Sequence, residues 1–178
     1  MSCFLLGNRD ARNAQMFIDD LAARLANRVQ LTTDGLRVYL DAVEGAFGCA
    51  VDYAQLVKLY GATQEETRYS PAECIGCHAV AISGRPKREH ISTSYVERQN
   101  LTMRMSMRRF TRLTNEFSKK VENHFFALAI HYMHYYFCRG HKTLRVTPAM
   151  EAGISNHVWT IEDMLGILNS KASASNAA

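Results

Sequence analysis

The sequence predicts an α/β domain whose second half is helical. Over residues 1–60, short apolar runs with strand alternation are separated by stretches of helical spacing, the order expected of parallel strands joined by helices. A polar stretch punctuated by Gly and Pro interrupts that order at 61–92. From Thr93 onward apolar residues recur with a helical period. With 178 residues, 47% of them hydrophobic and 21% charged, the chain has enough apolar content for a core and too little charge for wholesale disorder.

Cys3 to Gly7 is a short apolar piece that reads as a strand. A helix follows it, capped by Asp10, with Met16, Phe17, Leu21 and Leu25 at helical spacing. Arg28 to Thr33 alternates like a strand and ends at Asp34-Gly35, where glycine allows a sharp turn. A second amphipathic helix spans about Leu36 to Phe47, with Val38, Leu40, Val43, Ala46 and Phe47 on its inner side. Val51 to Tyr60 fits a strand or a helix. Residues 61–92 read as an insertion or loop. After it, Val96, Met103, Met107 and Phe110 form the stripe of a buried helix face, and an aromatic-rich helix runs from about Asn115 to Phe137. Gly140 and Pro148 bracket a connection before a last helix at Trp159 to Leu168. The Ala/Ser/Asn tail from 170 to 178 reads as disordered.

No apolar run approaches the roughly 18 residues of a spanning helix, and the first residues lack the basic flank of a secretory signal. Five cysteines, an odd number, argue against a disulfide scaffold, so a reducing cytosol is the expected compartment. Charge is uneven along the chain. Residues 1–90 carry 10 basic and 11 acidic side chains, whereas 91–178 carry 11 basic and 6 acidic. Between 98 and 120, Arg98, Arg104, Arg108, Arg109, Arg112, Lys119 and Lys120 stand against a single acid, Glu116. Such a field attracts phosphate, although a solvated helix face explains many runs of this kind.

Two carboxylates are candidates for chemistry, each with an ordinary alternative. Asp34 ends a strand ahead of a helix, where ligands collect in parallel sheets, but Asp before Gly also serves as a cap or an Asx-turn. Glu97 has Arg104 and Arg108 within about 20° of it at helical spacing. A carboxylate above two arginines suits a cation held beside a phosphate backbone, and it equally suits ordinary helix electrostatics. Cys74 and Cys77 have zinc-ligand spacing with His78 and His90 nearby, yet the second histidine of a finger is missing where it should fall. A redox pair of the thioredoxin kind is disfavoured because no strand leads directly into it. His124, His131, His134 and His141 lie among aromatics and read as packing residues.

Taken together, three segments resemble bacterial insertion-sequence transposases of the DDE type, most closely the insertion-sequence-one group. Asn27 to Gly35 is similar to their second-aspartate strand, Tyr95 to Asn100 to their third-carboxylate helix, and His141 to Ala149 to the tail that follows. The likeness covers about residues 7 to 165. It implies an RNase H-like fold over 1–150, a mixed sheet flanked by helices, followed by a helical extension at 151–169. It also implies magnesium or manganese held by Asp34 and Glu97 for cleavage and strand transfer on DNA. The element's ends and the target DNA would be held by the basic run 98–120 together with His141 and Lys142. A homo-oligomer assembled on DNA in the nucleoid is implied as well.

The chain departs from that pattern in informative ways. The family's first aspartate lies on a strand upstream of the segment matching Cys3 to Gly7, and Asp10, Asp19 and Asp20 belong to the next helix. The expectation is therefore a truncated, inactive copy with an incomplete sheet, in which two carboxylates fall short of a two-metal clamp. Leu36 stands where many relatives carry His after Asp-Gly. A non-catalytic DNA-binding or dimerising remnant is the alternative, and a zinc-stabilised domain at Cys74 and Cys77 is a second.

Overall fold

A computed structural model of the chain describes residues 3–61, 74–111, 115–116 and 118–167. The chain forms two compact units, Met1–Thr102 and Met103–Ala178. Arg112, residues 62–73 of the expected insertion and the tail from 168 lie outside the described residues.

The first unit is mixed α/β. It contains helix α1 (Ala11–Ala23), strand β1 (Gln30–Asp34), helix α2 (Val38–Phe47), strands β2 (Asp52–Tyr60) and β3 (Cys74–Ser83), and the start of helix α3 (Ser94–Ser106). β1 and β2 are parallel, with Gln30 opposite Asp52 and Asp34 opposite Leu56. β3 pairs antiparallel with β2, giving the order β1-β2-β3. The ambiguous segment after Val51 is thus a strand, because it completes the parallel pair that α2 connects. The stretch read as a loop contains β3. Its pairing lies with β2 rather than in its own sequence, and seven of its ten residues are exposed, so it carries little apolar signal.

Asp10 caps α1 as expected, accepting a 2.8 Å hydrogen bond from the Asn13 amide. Ala14 and Ile18 of α1, Ala42 and Val43 of α2, and Val51 and Tyr53 of the sheet form the core, with Phe17, Leu21, Leu31 and Tyr39 packed around them. The small side chains of Ala14 and Ala42 let the two helices approach closely over β1 and β2. Met16, expected on the inner side of α1, is instead 49% exposed, and the fully buried residue is Ile18.

Cys3 to Gly7 is not a strand. The Cys3 thiol donates to the Asp20 carboxylate of α1 at 2.6 Å, and residues 3–7 join no strand. Helix α3 ends at Ser106, and Arg108 belongs to a separate 3₁₀ turn, Arg108–Phe110. None of the residues of α3 is buried, so the expected inner stripe through Val96 is absent; Val96 is 58% exposed.

In the second unit, helix α4 (Val121–Met133) runs into a π-helical turn, His134–Cys138, and the short helix α5 (Pro148–Glu151) follows. Residues 161–167 are helical. The aromatic side chains pack on one another: Phe137 lies 4.4 Å from Trp159, and His131 is buried against Tyr132 and Tyr135. Among the described residues no helix is long and apolar enough to cross a membrane.

Candidate functional site

Side chains alternate between the two faces of a strand, so the register sorts the sheet. Leu31, Thr33, Tyr53 and Gln55 lie on the face covered by α1 and α2. Asp34, Leu56, Lys58 and, across the antiparallel pair, Cys77 lie on the other. Asp34 and Lys58 both stand toward the C-terminal ends of the parallel pair, where strand ends open into a crevice. A cleft of about 900 Å³ is found there, lined by Asp34, Lys58 and Glu97 among others. It extends past the outer edge of β1, from Phe17 and Leu21 of α1 to Val96 and Asn100 of α3. Among the described residues β1 has a strand neighbour on one side only.

The turn that presents Asp34 is set by local chemistry. Leu36 donates its amide to Asp34 Oδ1 at 3.2 Å, an Asx-turn. Asp34 is not the cap of α2, whose first turn follows Arg37 without a side-chain cap. Beneath the turn, buried Gln55 donates to the Tyr53 hydroxyl at 2.9 Å and approaches the Leu36 carbonyl and Thr33 Oγ1 at 3.4 Å. Thr33 and Tyr53 share a 2.8 Å hydrogen bond. This polar network ties the end of β1 to the first half of β2 and to the turn that presents Asp34.

Glu97 sits in the first turn of α3. The buried Thr93 hydroxyl donates to Glu97 Oε1 at 2.8 Å, and the Glu97 amide bonds back to the Thr93 carbonyl at 3.1 Å. Lys58 reaches across from β2 and forms an ion pair with the same carboxylate oxygen. The Lys58 ammonium, followed by the Thr93 hydroxyl, holds Glu97 below the usual carboxylate range, and Glu97 in turn raises Lys58. Asp34 is paired in a looser way with Arg9, at 3.4 Å, and both side chains are more than half exposed. Each carboxylate of the cleft therefore has a resident cation.

Arg9, Lys58, Thr93 and Gln55 were not among the sequence-derived candidates. Lys58 carried a usable signal, a charge set in the apolar run 56–60. Arg9 carried none, since its partner lies 25 residues away.

Among the described residues the donor set falls short of a two-metal centre. Asp34 and Glu97 supply two carboxylates, each already engaged by a cation, and a clamp needs a further bridging ligand. Among the described residues no group of three His, Cys, Asp or Glu is arranged to hold a metal ion. The same applies to Cys74 and Cys77, which would need two more ligands for zinc.

The basic residues are distributed over both units. Arg98 is exposed on α3, as is Arg104 further along it. Arg108 pairs with Glu116 at 3.3 Å, and Arg109 donates to the Ser118 hydroxyl at 2.6 Å. Arg108, Arg109 and Lys119 line a shallow hollow of about 580 Å³. Lys120 and Lys142 are exposed. His141 is half-buried, its ring 4.8 Å from Tyr135, and its Nε2 is buried without a hydrogen-bond partner among the described residues, so it packs rather than reaching outward. The chain matches no protein-family model, no curated protein and no solved structure.

Proposed function

We propose that this chain is a transposase-like DNA-binding protein that retains two carboxylates of a DDE-type site, Asp34 and Glu97, and neither cuts nor joins DNA by itself. The observation that carries the reading is the shared cleft: two carboxylates far apart in sequence line one cavity at the C-terminal ends of a parallel strand pair. A site for phosphodiester chemistry on an α/β sheet belongs at that place. The parallel β1–β2 pair, the antiparallel β3 and the cleft along the outer edge of β1 support an incomplete RNase H-like sheet, since a groove beside a strand edge that is unpaired among the described residues has room for a further strand.

The charge arrangement supports inactivity. Lys58 and Arg9 occupy positions beside the carboxylates from which a divalent cation would be repelled. The DNA partner would be held through exposed basic residues of the second unit, Arg104, Lys119, Lys120 and Lys142, with Arg98 exposed on the first. A second copy of the chain is a fitting protein partner, because α4 exposes Phe126 and Ile130 at 61% and 60%.

The test uses the purified chain on duplex DNA carrying the element's ends. Binding should weaken steeply with salt, and Lys119→Ala with Lys120→Ala should lower the slope of log affinity against log salt by roughly 2. With magnesium or manganese no nick or joint should form. Flat salt dependence, or no binding at low ionic strength, ends the DNA-binding reading. Metal-dependent joining that Asp34→Ala abolishes would overturn the inactivity and keep the lineage.

A further inference from the structure

Cys74 and Cys77 are three residues apart in a strand, a spacing that normally sends two side chains to opposite faces. A β-bulge changes that. Gly76 pairs with Leu59 and Cys74 with Tyr60, which leaves Ile75 as the extra residue. The bulge shifts the alternation by one, so Cys74 comes to the face that Cys77 already occupies. The sulfurs lie 4.0 Å apart, and both cysteines are exposed. Cys77 is directly opposite Lys58, which brings the pair next to the Lys58–Glu97 ion pair.

We infer that Cys74 and Cys77 form a reversible dithiol–disulfide site that closes by exchange with a low-molecular-weight disulfide. The sulfurs must approach by about 2 Å to reach bonding distance; three residues of extended strand span roughly 10 Å, beyond the ~7 Å between Cα atoms that a disulfide bridges, so closure also requires the bulged start of β3 to bend. Both thiols are exposed, and Cys74, at the first position of β3 beside the bulge, is taken as the attacking sulfur. The Cys74 thiolate attacks one sulfur of the small disulfide, and a small thiolate departs with the bonding pair and takes up a proton. Cys77 then gives its proton to solvent and attacks the Cys74 sulfur of the mixed disulfide, releasing the second small thiol. The two cysteines lose two electrons and two protons, and the small disulfide gains them. The inference requires nothing of the cleft's function.

The remaining cysteines supply the controls. Cys3 is held by burial and its bond to Asp20 at a pKa of about 11, which removes it from exchange near neutral pH. Cys138 is likewise raised by burial. Cys49 is exposed and has no cysteine within bonding reach, so it can only retain an adduct. The experiment therefore uses the full chain with Cys49→Ser, incubated with oxidised glutathione and read by thiol count, intact mass and peptide mapping. Two of the four thiols should disappear, with loss of two hydrogens, no retained glutathione, a bond mapping to Cys74 and Cys77, and full recovery in dithiothreitol. Adding Cys77→Ser should trap one glutathione on Cys74. Glutathione retained on both cysteines, no reaction at either, or a bond from either to Cys3 or Cys138 would overturn the inference.

Discussion

One face of the sheet carries Leu31, Tyr53 and Gln55 beneath α1 and α2, and the opposite face carries Asp34, Lys58 and Cys77 near α3. The first is closed by apolar contact. Ile18, Ala42, Val43, Val51 and Tyr53 are each at most 1% exposed, and even the polar Gln55 is buried with its hydrogen bonds made. The second buries Ala54 of β2 but is otherwise held by charge and hydroxyl contacts, Lys58 and Thr93 to Glu97 and Arg9 to Asp34, without a buried residue on α3. Apolar burial stabilises in proportion to area, whereas exposed ion pairs contribute little and are screened by salt. The candidate site thus occupies the weakly held face, where side chains can exchange partners without disturbing the core.

Substitutions on the two faces should separate by several-fold. Ile18→Ala removes a fully buried side chain between α1 and the sheet and should cost about 2–5 kcal/mol in urea unfolding. Val96→Ala, on the exposed side of α3, should change stability by less than about 0.5 kcal/mol. Equal costs would mean that α3 is packed as firmly as α1, and the contrast between the faces would vanish.

A second substitution probes how β3 is attached to the frame. Gly84 follows β3 at φ +71°, and a Cβ there would meet Asp52 Oδ1 at 2.2 Å, Arg28 Nη2 at 2.7 Å and the Val51 carbonyl at 2.9 Å. These groups already form a closed set: Arg28 pairs with Asp52 at 2.7 Å, and the Arg85 amide donates to Asp52 at 2.8 Å. Gly84→Ala should therefore cost about 1–3 kcal/mol, from the left-handed backbone and from the displaced pair. It should also release Asp52, whose carboxyl the Arg28 guanidinium and the Arg85 amide hold at about 2. An Asp52 titration midpoint unchanged in the variant would show that the turn absorbs the methyl group without moving the pair.

The difference between the faces also explains what could be read in the sequence. α1, β1 and α2 repeat apolar residues at their own period, so Phe17, Leu21, Leu31 and Val43 announce a core before any contact is known. Ile18 was harder to see, because the tightest contact depends on Ala14 and Ala42 letting the helices approach, and small residues carry no periodic signal. β3 exists through its pairing with β2, a partner choice that an exposed sequence with Gly76 does not encode locally. Asp34 and Glu97 were legible as residue types at strand and helix ends. Their cations were not, since Lys58 meets Glu97 across 39 positions and Arg9 meets Asp34 across 25. The helix through Val96 was expected to bury a stripe, yet Val96 is exposed and Met103, Met107 and Phe110 are only half-buried, because spacing predicts a face without saying whether another element covers it.

The smallest expected effect is the most specific to the site. Lys58 lowers the Glu97 pKa and is itself raised by Glu97, so the pair has a pH window at both ends. A depressed carboxyl contributes stability that is present above its unfolded value, about 4.3 for Glu, and lost as pH falls through the lower folded value. A raised lysine contributes stability that is present below about 10.4 and lost as pH rises through its higher folded value. Lys58→Met should leave a small deficit in the urea midpoint that is constant between those limits and closes in acid, where Glu97 is protonated in both proteins. The Glu97 carboxyl, followed by carbon-13 titration, should move up toward its ordinary range but not reach it, because the Thr93 hydroxyl still donates to it. A deficit that persists in acid would trace the effect to lost packing of the lysine stem. A Glu97 midpoint unmoved by Lys58→Met would mean that Thr93 alone sets it, and the carboxylate would then be open to another cation.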